Sequence, residues 1–326
     1  MNALRWLLFL ILVAVCILAC ALLPVPELPD LPEGMSPAES RYELIYWKLR
    51  VPRTCLAVVT GVGLALSGLA FQAVFRNGLA TPFTLGVSSG ASLGAAAAVL
   101  GGFVTPVWGF FSPVAAAAFL GALASTLLVY GLAGRLRSFD TGTLLLAGVA
   151  TSFFLSSLLL LAQHCSGEHE SYRILRWIMG SLETVGYGDT ISLLPWLVLG
   201  GAYVVFKPDE LNLLAMGDEF ARGRGLDARR ERQRIFLAVS LMIGGMIAVT
   251  GPIGFVGLIS PHICRMLVGP NHRVLIPATA LFGAGFLPLC DLLSRAVGTT
   301  PLPVGVVTAL LGGPFFLWLL LRQNEA

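Results

Sequence analysis

The chain has 326 residues, is 56% hydrophobic and 12% charged, and has a mean hydropathy of +0.83. Soluble domains carry about 25% charged residues, so this composition excludes a water-soluble enzyme and specifies an integral membrane protein. At about 20 residues per crossing, residues 1–326 read as one polytopic, all-α domain of about ten helices with no separate soluble part.

Hydropathy and helix breakers place apolar spans at about 4–23, 52–74, 82–101, 108–132, 142–163, 188–206, 235–250, 253–268, 274–293 and 304–321. The first has Arg5 ahead of its apolar run, as a secretory signal does. That run is about 18 residues long, and Ala19-Cys20-Ala21 is a weak cleavage site. It reads as a retained helix, and the nine spans behind it argue against a lipidated Cys20.

After the fifth span, His164-Cys165-Ser166-Gly167-Glu168-His169-Glu170 gathers ligand-type side chains, but their spacing follows no zinc pattern. A solvated polar loop is the plainer reading. Farther along, Thr184-Val185-Gly186-Tyr187-Gly188-Asp189 reproduces a potassium-channel filter, whose carbonyls replace an ion's hydration shell. Arg173 to Leu182 would then serve as its pore helix. A channel leaves the four later spans without a role, so a glycine-rich turn at the mouth is preferred.

The segment at about 207–234 reads as two short helices broken at Gly217 and at Gly223 to Gly225. Leu211, Leu214 and Phe220 are expected to face the membrane or a partner, and Arg229 to Arg234 forms a basic anchor. Residues alone leave open whether this is an interfacial loop or the seat of an external motor. Beyond it, Gly251 to Arg265 is apolar but broken by three glycines and two prolines. Lipid cannot satisfy freed backbone groups, so broken backbone at membrane depth belongs in protein or beside a water-filled path. From the residues alone, the segment's breaks within the span at 253–268 read as a possible substrate site. Asp291 lies one turn before Arg295, and an i,i+4 pair explains it better than a proton relay.

With both termini on one side, that side holds Arg5, Arg76, Arg135, Arg137, Lys207, Arg265, Arg273, Arg322 and the arginines from Arg222 to Arg234, two thirds of the 21 basic residues. The other side holds Arg41, Lys48, Arg50, Arg53, Arg173, Arg176 and Arg295. By the positive-inside rule the first side, with both termini, is cytoplasmic. The net charge of +3 is thus a topology signal and does not indicate nucleic-acid binding. Six scattered cysteines form no CxxC pair. The only lysines, Lys48 and Lys207, follow no glycine, so no phosphate loop exists and the chain cannot hydrolyse ATP alone. The serines near the spans that carry Gly61, Gly63, Gly90 and Gly94 have no nearby base to form a nucleophilic set, and no enzyme is read.

In order along nearly the whole chain, several blocks resemble the FecCD-type permease subunits of ATP-driven importers for vitamin B12, haem and ferric siderophores. These are Arg50-Val51-Pro52-Arg53, Arg76-Asn77-Gly78-Leu79-Ala80-Thr81-Pro82, Leu85-Gly86-Val87-Ser88-Ser89-Gly90-Ala91 and Leu144-Leu145-Leu146-Ala147-Gly148-Val149, then Leu211 to Leu226, Ile253 to Arg265, His272-Arg273 and Leu302-Pro303-Val304-Gly305-Val306-Val307-Thr308.

The resemblance implies a bacterial inner-membrane homodimer with its path on the two-fold axis, joined to two ATP-binding-cassette ATPase subunits and one periplasmic substrate-binding protein. ATP and Mg would be bound by the ATPase, with no metal or cofactor in this chain. Arg50, Arg53 and Arg295 match outer positions that pair with glutamates of the binding protein. Gly217, Asp218, Glu219, Ala221 and Leu226 match the coupling element that seats in the ATPase. Asn77, Leu79, Thr141 and Gly142 match the cytoplasmic gate. Gly78 stands where the family usually has proline, and Gly142 where it has a small hydroxyl residue. The same coupling and docking matches make Gly251 to Arg265 a short, bent eighth span that packs the permease core, in place of a substrate site, with His262 a structural hydrogen-bonding residue. The choice among ferric siderophore, haem and cobalamin stays open.

Overall fold

Runs of Leu, Ala and Val form helices here because each can satisfy its own backbone polar groups inside an apolar medium. The computed structural model describes residues 3–22, 45–103, 112–135, 141–297 and 301–323; Arg41 and Arg137 lie outside them. In chain order the helices are α1 (Ala3–Leu22), α2 (Val51–Phe75), α3 (Val87–Leu100), α4 (Pro113–Arg135), α5 (Thr141–His164), α6 (Glu168–Ile178) and α7 (Gly188–Val205). Then come α8 (Pro208–Met216), α9 (Asp218–Gly223), α10 (Ala228–Thr250), α11 (Val256–Val268), α12 (His272–Ala296) and α13 (Val304–Gln323). A π-helical turn, Tyr46–Arg50, runs directly into α2. Among the described residues there is no strand.

Among the described residues, six helices are long and apolar enough to cross a membrane: Tyr46–Phe75, Pro113–Arg135, Thr141–His164, Gly188–Val205, Ala228–Thr250 and His272–Ala296. Four shorter apolar stretches, Val13–Leu22, Val87–Leu100, Val256–Val268 and Val304–Leu319, fall at the other expected spans. Two boundaries moved for local reasons. The third helix starts at Val87 because Gly86 takes a left-handed conformation (φ 82°). The seventh expected span, helix α10, starts at Ala228, where the Asp227 side chain accepts from the Arg230 N–H. Arg229 to Arg234, expected as a loop anchor, therefore forms the opening turns of α10.

At the centre stands α2, buried along most of its length and packed on α7, α10, α11 and α12. Small residues let backbones approach: a Cβ at Gly61 would run into the Gly283 carbonyl of α12, and one at Gly68 into the Gly257 carbonyl of α11. The same device joins α3 to α4 at Gly90 and Gly121. Helix α1 lies on α12, with Cys20 Sγ donating to the Pro288 carbonyl at 2.9 Å. Helix α5 packs on α3 and α4 by one face and exposes Leu146, Phe153 and Leu160 on the other.

Residues 251–255 are non-helical, as the glycines and prolines required. Gly251 and Phe255 have positive φ (66° and 65°), while Pro261 sits inside α11. Proline lacks the N–H that would bond Gly257 O; Gln72 Nε2 of α2 approaches that carbonyl and Leu258 O at 3.5 and 3.4 Å, and Arg265 donates to Gln72 Oε1 at 3.2 Å. His262, expected to hydrogen-bond, meets Phe315 edge-on with ring centroids 5.9 Å apart.

Candidate functional site

Helices α2 and α12 run antiparallel, so each brings one end to the 207–227 segment and the other to the opposite face. The first of these two ends is built around Gly217, which takes a φ of 121° between α8 and α9. Leu211 and Leu214 are fully buried against the chain's own core, correcting the expectation that they face lipid or a partner. An amphipathic segment does not declare what covers its apolar face, and here α2 does.

Asp218, the first residue of α9, accepts from Arg232 Nη2 of α10 at 2.5 Å and lies 3.7 Å from Arg76 Nη2 at the end of α2. Arg76 is held in a left-handed conformation (φ 49°) that ends α2. Arg232 is 2% exposed, so this carboxylate is bound inward, to the helices. Ala221 is also buried, whereas Glu219, Phe220 and Arg222 are exposed and Leu226 is half-buried. The Arg224 guanidinium stacks over the Phe220 ring, 5.6 Å from its centroid.

Helix α8 is tied to α12. Asn212 Oδ1 accepts from the His272 N–H at 3.0 Å and lies 2.8 Å from its Nδ1. Asp209 accepts from Arg273 at 2.7 and 2.9 Å, which holds the Asp209 carboxyl below the usual carboxylate range. Lys207 donates to Glu210 at 2.7 Å, and that bond raises the lysine above its ordinary value. The 207–227 segment thus grips α2, α10 and α12. Neither Arg76, Arg232 nor Asn212 carried any local signal of these roles.

The expected gate residues lie near this end. Asn77 Oδ1 accepts from Leu79 N at 2.9 Å, closing its own turn, and Leu79 is 39% exposed. Thr141 and Gly142 open α5, with Gly142 exposed. Among the described residues no polar contact joins the two pairs. The link between their segments is indirect: Ser152 of α5 donates to Phe83 O at 3.5 Å.

At the opposite face, Arg50, Arg53 and Arg295 come together. They line one pocket of about 490 Å³ with Glu183, Thr184, Val185 and Asp189. Asp291 occupies two of the three: its carboxylate accepts from Arg53 Nε and Nη2 at 3.0 and 2.7 Å and lies 3.2 Å from Arg295 Nε, which donates to the Asp291 main-chain carbonyl at 3.3 Å. The expected i,i+4 pair is there, joined by Arg53 from 238 residues away. The Thr184–Asp189 stretch is not a filter. Thr184 Oγ1 donates to Asp189 Oδ2 at 2.7 Å, Gly186 N donates to Lys48 O at 2.8 Å, and the turn leads into α7. The preceding helix, Glu168–Ile178, is offset from the pore helix that a filter would need.

The model of the FecCD transport family matches residues 6–322. The chain is 40% identical over 283 residues to the cobalamin import system permease protein BtuC of Halobacterium salinarum, covering 87% of this chain and 74% of that one. It is 38% identical over 287 residues to the hemin transport system permease protein HmuU of Yersinia pestis, covering 86% and 84%. Among solved structures, one described as an inward-facing metal-chelate type ABC transporter superposes with a TM-score of 0.85 and 27% identity, over 98% of this chain and all of the other. The chain belongs to the FecCD transport family of ABC transporter permeases.

Proposed function

We propose that this chain is the permease of an ABC importer that receives a metal chelate from a periplasmic binding protein and passes it into the cytoplasm. Two copies would form a homodimer in the bacterial inner membrane, each with ten spans and cytoplasmic termini, joined to two ATPase subunits. The excess of basic residues on the 207–227 side supports the orientation. The apolar face of α5 that is exposed among the described residues, with Leu146, Phe153 and Leu160, is where a second copy would meet it across the translocation path.

The observation that carries the reading is the inward grip on Asp218 beside an exposed Glu219 and Phe220. One side of α9 is bound to α2 and α10, leaving the other free for a motor. When ATP closes the paired ATPases, a push on Glu219 and Leu226 would reach α2 and α10 through Asp218, and α12 through Asn212 and Asp209. Asn77, Leu79, Thr141 and Gly142 would shape the cytoplasmic exit. The cargo class is a metal chelate, with cobalamin, haem and ferric siderophores as its members. Co-purification of the ATPase with the wild-type chain and with Glu219→Arg tests the reading. The motor is expected to be lost only with the variant, and equal recovery would overturn the assignment.

A further inference from the structure

The three arginines at the outer pocket differ in availability. Asp291 is 2% exposed and holds the Nε–Nη2 edge of Arg53, the edge by which an arginine grips a carboxylate bidentately. It also holds Arg295, whose Nη2 donates to the Cys20 carbonyl of α1 at 3.4 Å. Arg50 is different. It faces the same pocket, and its buried Nε has no partner among the described residues.

On the docking reading above, we propose that Asp291 is an internal stand-in for the binding protein's carboxylate, which must displace it from Arg53 to seat fully. Arg50 makes the first contact because, among the described residues, no carboxylate lies within ion-pair distance of it, although Glu183 and Asp189 line the same pocket. The incoming carboxylate then takes the bidentate edge of Arg53 from Asp291. That exchange dissolves the polar tie between the outer ends of α2 and α12, the two helices whose inner ends are held by the 207–227 segment. Docking would thereby loosen the outer face at the point where cargo must enter. Asp291 acts through Arg53 and is a positioning residue. Its charge sets how tightly, and with what salt dependence, the partner binds.

The test uses the assembled permease–ATPase complex in nanodiscs and the purified binding protein that it retains from its native envelope. Affinity is measured across ionic strengths for wild type, Asp291→Asn and Arg50→Ala. Asp291→Asn is expected to bind about tenfold more tightly, with a steeper salt dependence, because two arginines lose their internal counter-charge. Arg50→Ala is expected to weaken docking about tenfold. Loss with Arg50→Ala but no gain with an assembled Asp291→Asn would overturn the stand-in and leave the docking reading intact. No effect of Arg50→Ala would overturn the docking reading itself. Spin labels at Leu49→Cys and Leu293→Cys, both exposed, decide the matter should Asp291→Asn fail to assemble. Saturating binding protein is expected to lengthen the distance between them, and an unchanged distance would overturn the proposal.

Discussion

Arg232 donates to Asp218 from inside the core: the arginine belongs to α10 and is 2% exposed, while the aspartate opens a six-residue surface helix. A charge this deep binds its partner element firmly, because separating them would strand it in a medium of low polarity. The pair makes α9 an extension of the transmembrane core.

Asp218→Ala is expected to lower stability by about 2 kcal/mol, below the value for a fully buried pair because the carboxylate side is partly open to water. The same change should weaken coupling more than association. ATP hydrolysis by the assembled complex, with and without binding protein, checks this: the basal rate persists while stimulation falls.

Glu219 is exposed and forms no ion pair or side-chain hydrogen bond among the described residues, so Glu219→Arg is expected to change stability by no more than about 0.5 kcal/mol. Its effect should appear in ATPase recovery. A melting curve beside a pull-down separates the two readouts.

Gly68→Ala drives a methyl group into the Gly257 carbonyl, a backbone atom with little freedom to retreat. A loss of about 3 kcal/mol is expected, toward the upper end for overpacking. Gly78→Ala has nothing within 4 Å and should melt within about 0.5 kcal/mol of wild type, as surface changes do. Thermal denaturation in detergent compares them.

Arg273 lowers the Asp209 carboxyl in the folded chain. A lowered folded value means the contribution is present above the unfolded carboxylate value and is lost as pH falls through the folded one. The α8–α12 tie should therefore hold from neutral pH down to about 4, the ordinary aspartate range, and weaken only below it. Hydrogen exchange in α8 against pH should show this transition in wild type and lack it in Asp209→Asn.

The order and extent of the apolar helices were legible because hydropathy and Gly/Pro breaks are local signals, as the irregular stretch at 251–255 illustrates. The family blocks were legible for the same reason. Pairings across the fold were not. Asp291 with Arg295 is visible as a one-turn spacing, but nothing near Arg53 announces a partner 238 residues away. Leu211 and Leu214 show the same limit, since their pattern gives an apolar face and not its cover. The Thr184–Asp189 motif misled in the opposite direction. A filter is defined by converging carbonyls, and here the Gly186 backbone is committed to Lys48 and Thr184.

The most direct test of the account is accumulation of cobalamin, haem or a ferric siderophore in proteoliposomes holding the chain, its ATPase and its binding protein. One of these chelates should accumulate with ATP, fail to accumulate with a non-hydrolysable analogue, and stop accumulating with Glu219→Arg. Uptake that persists without the ATPase, or that Glu219→Arg leaves unchanged, would contradict it.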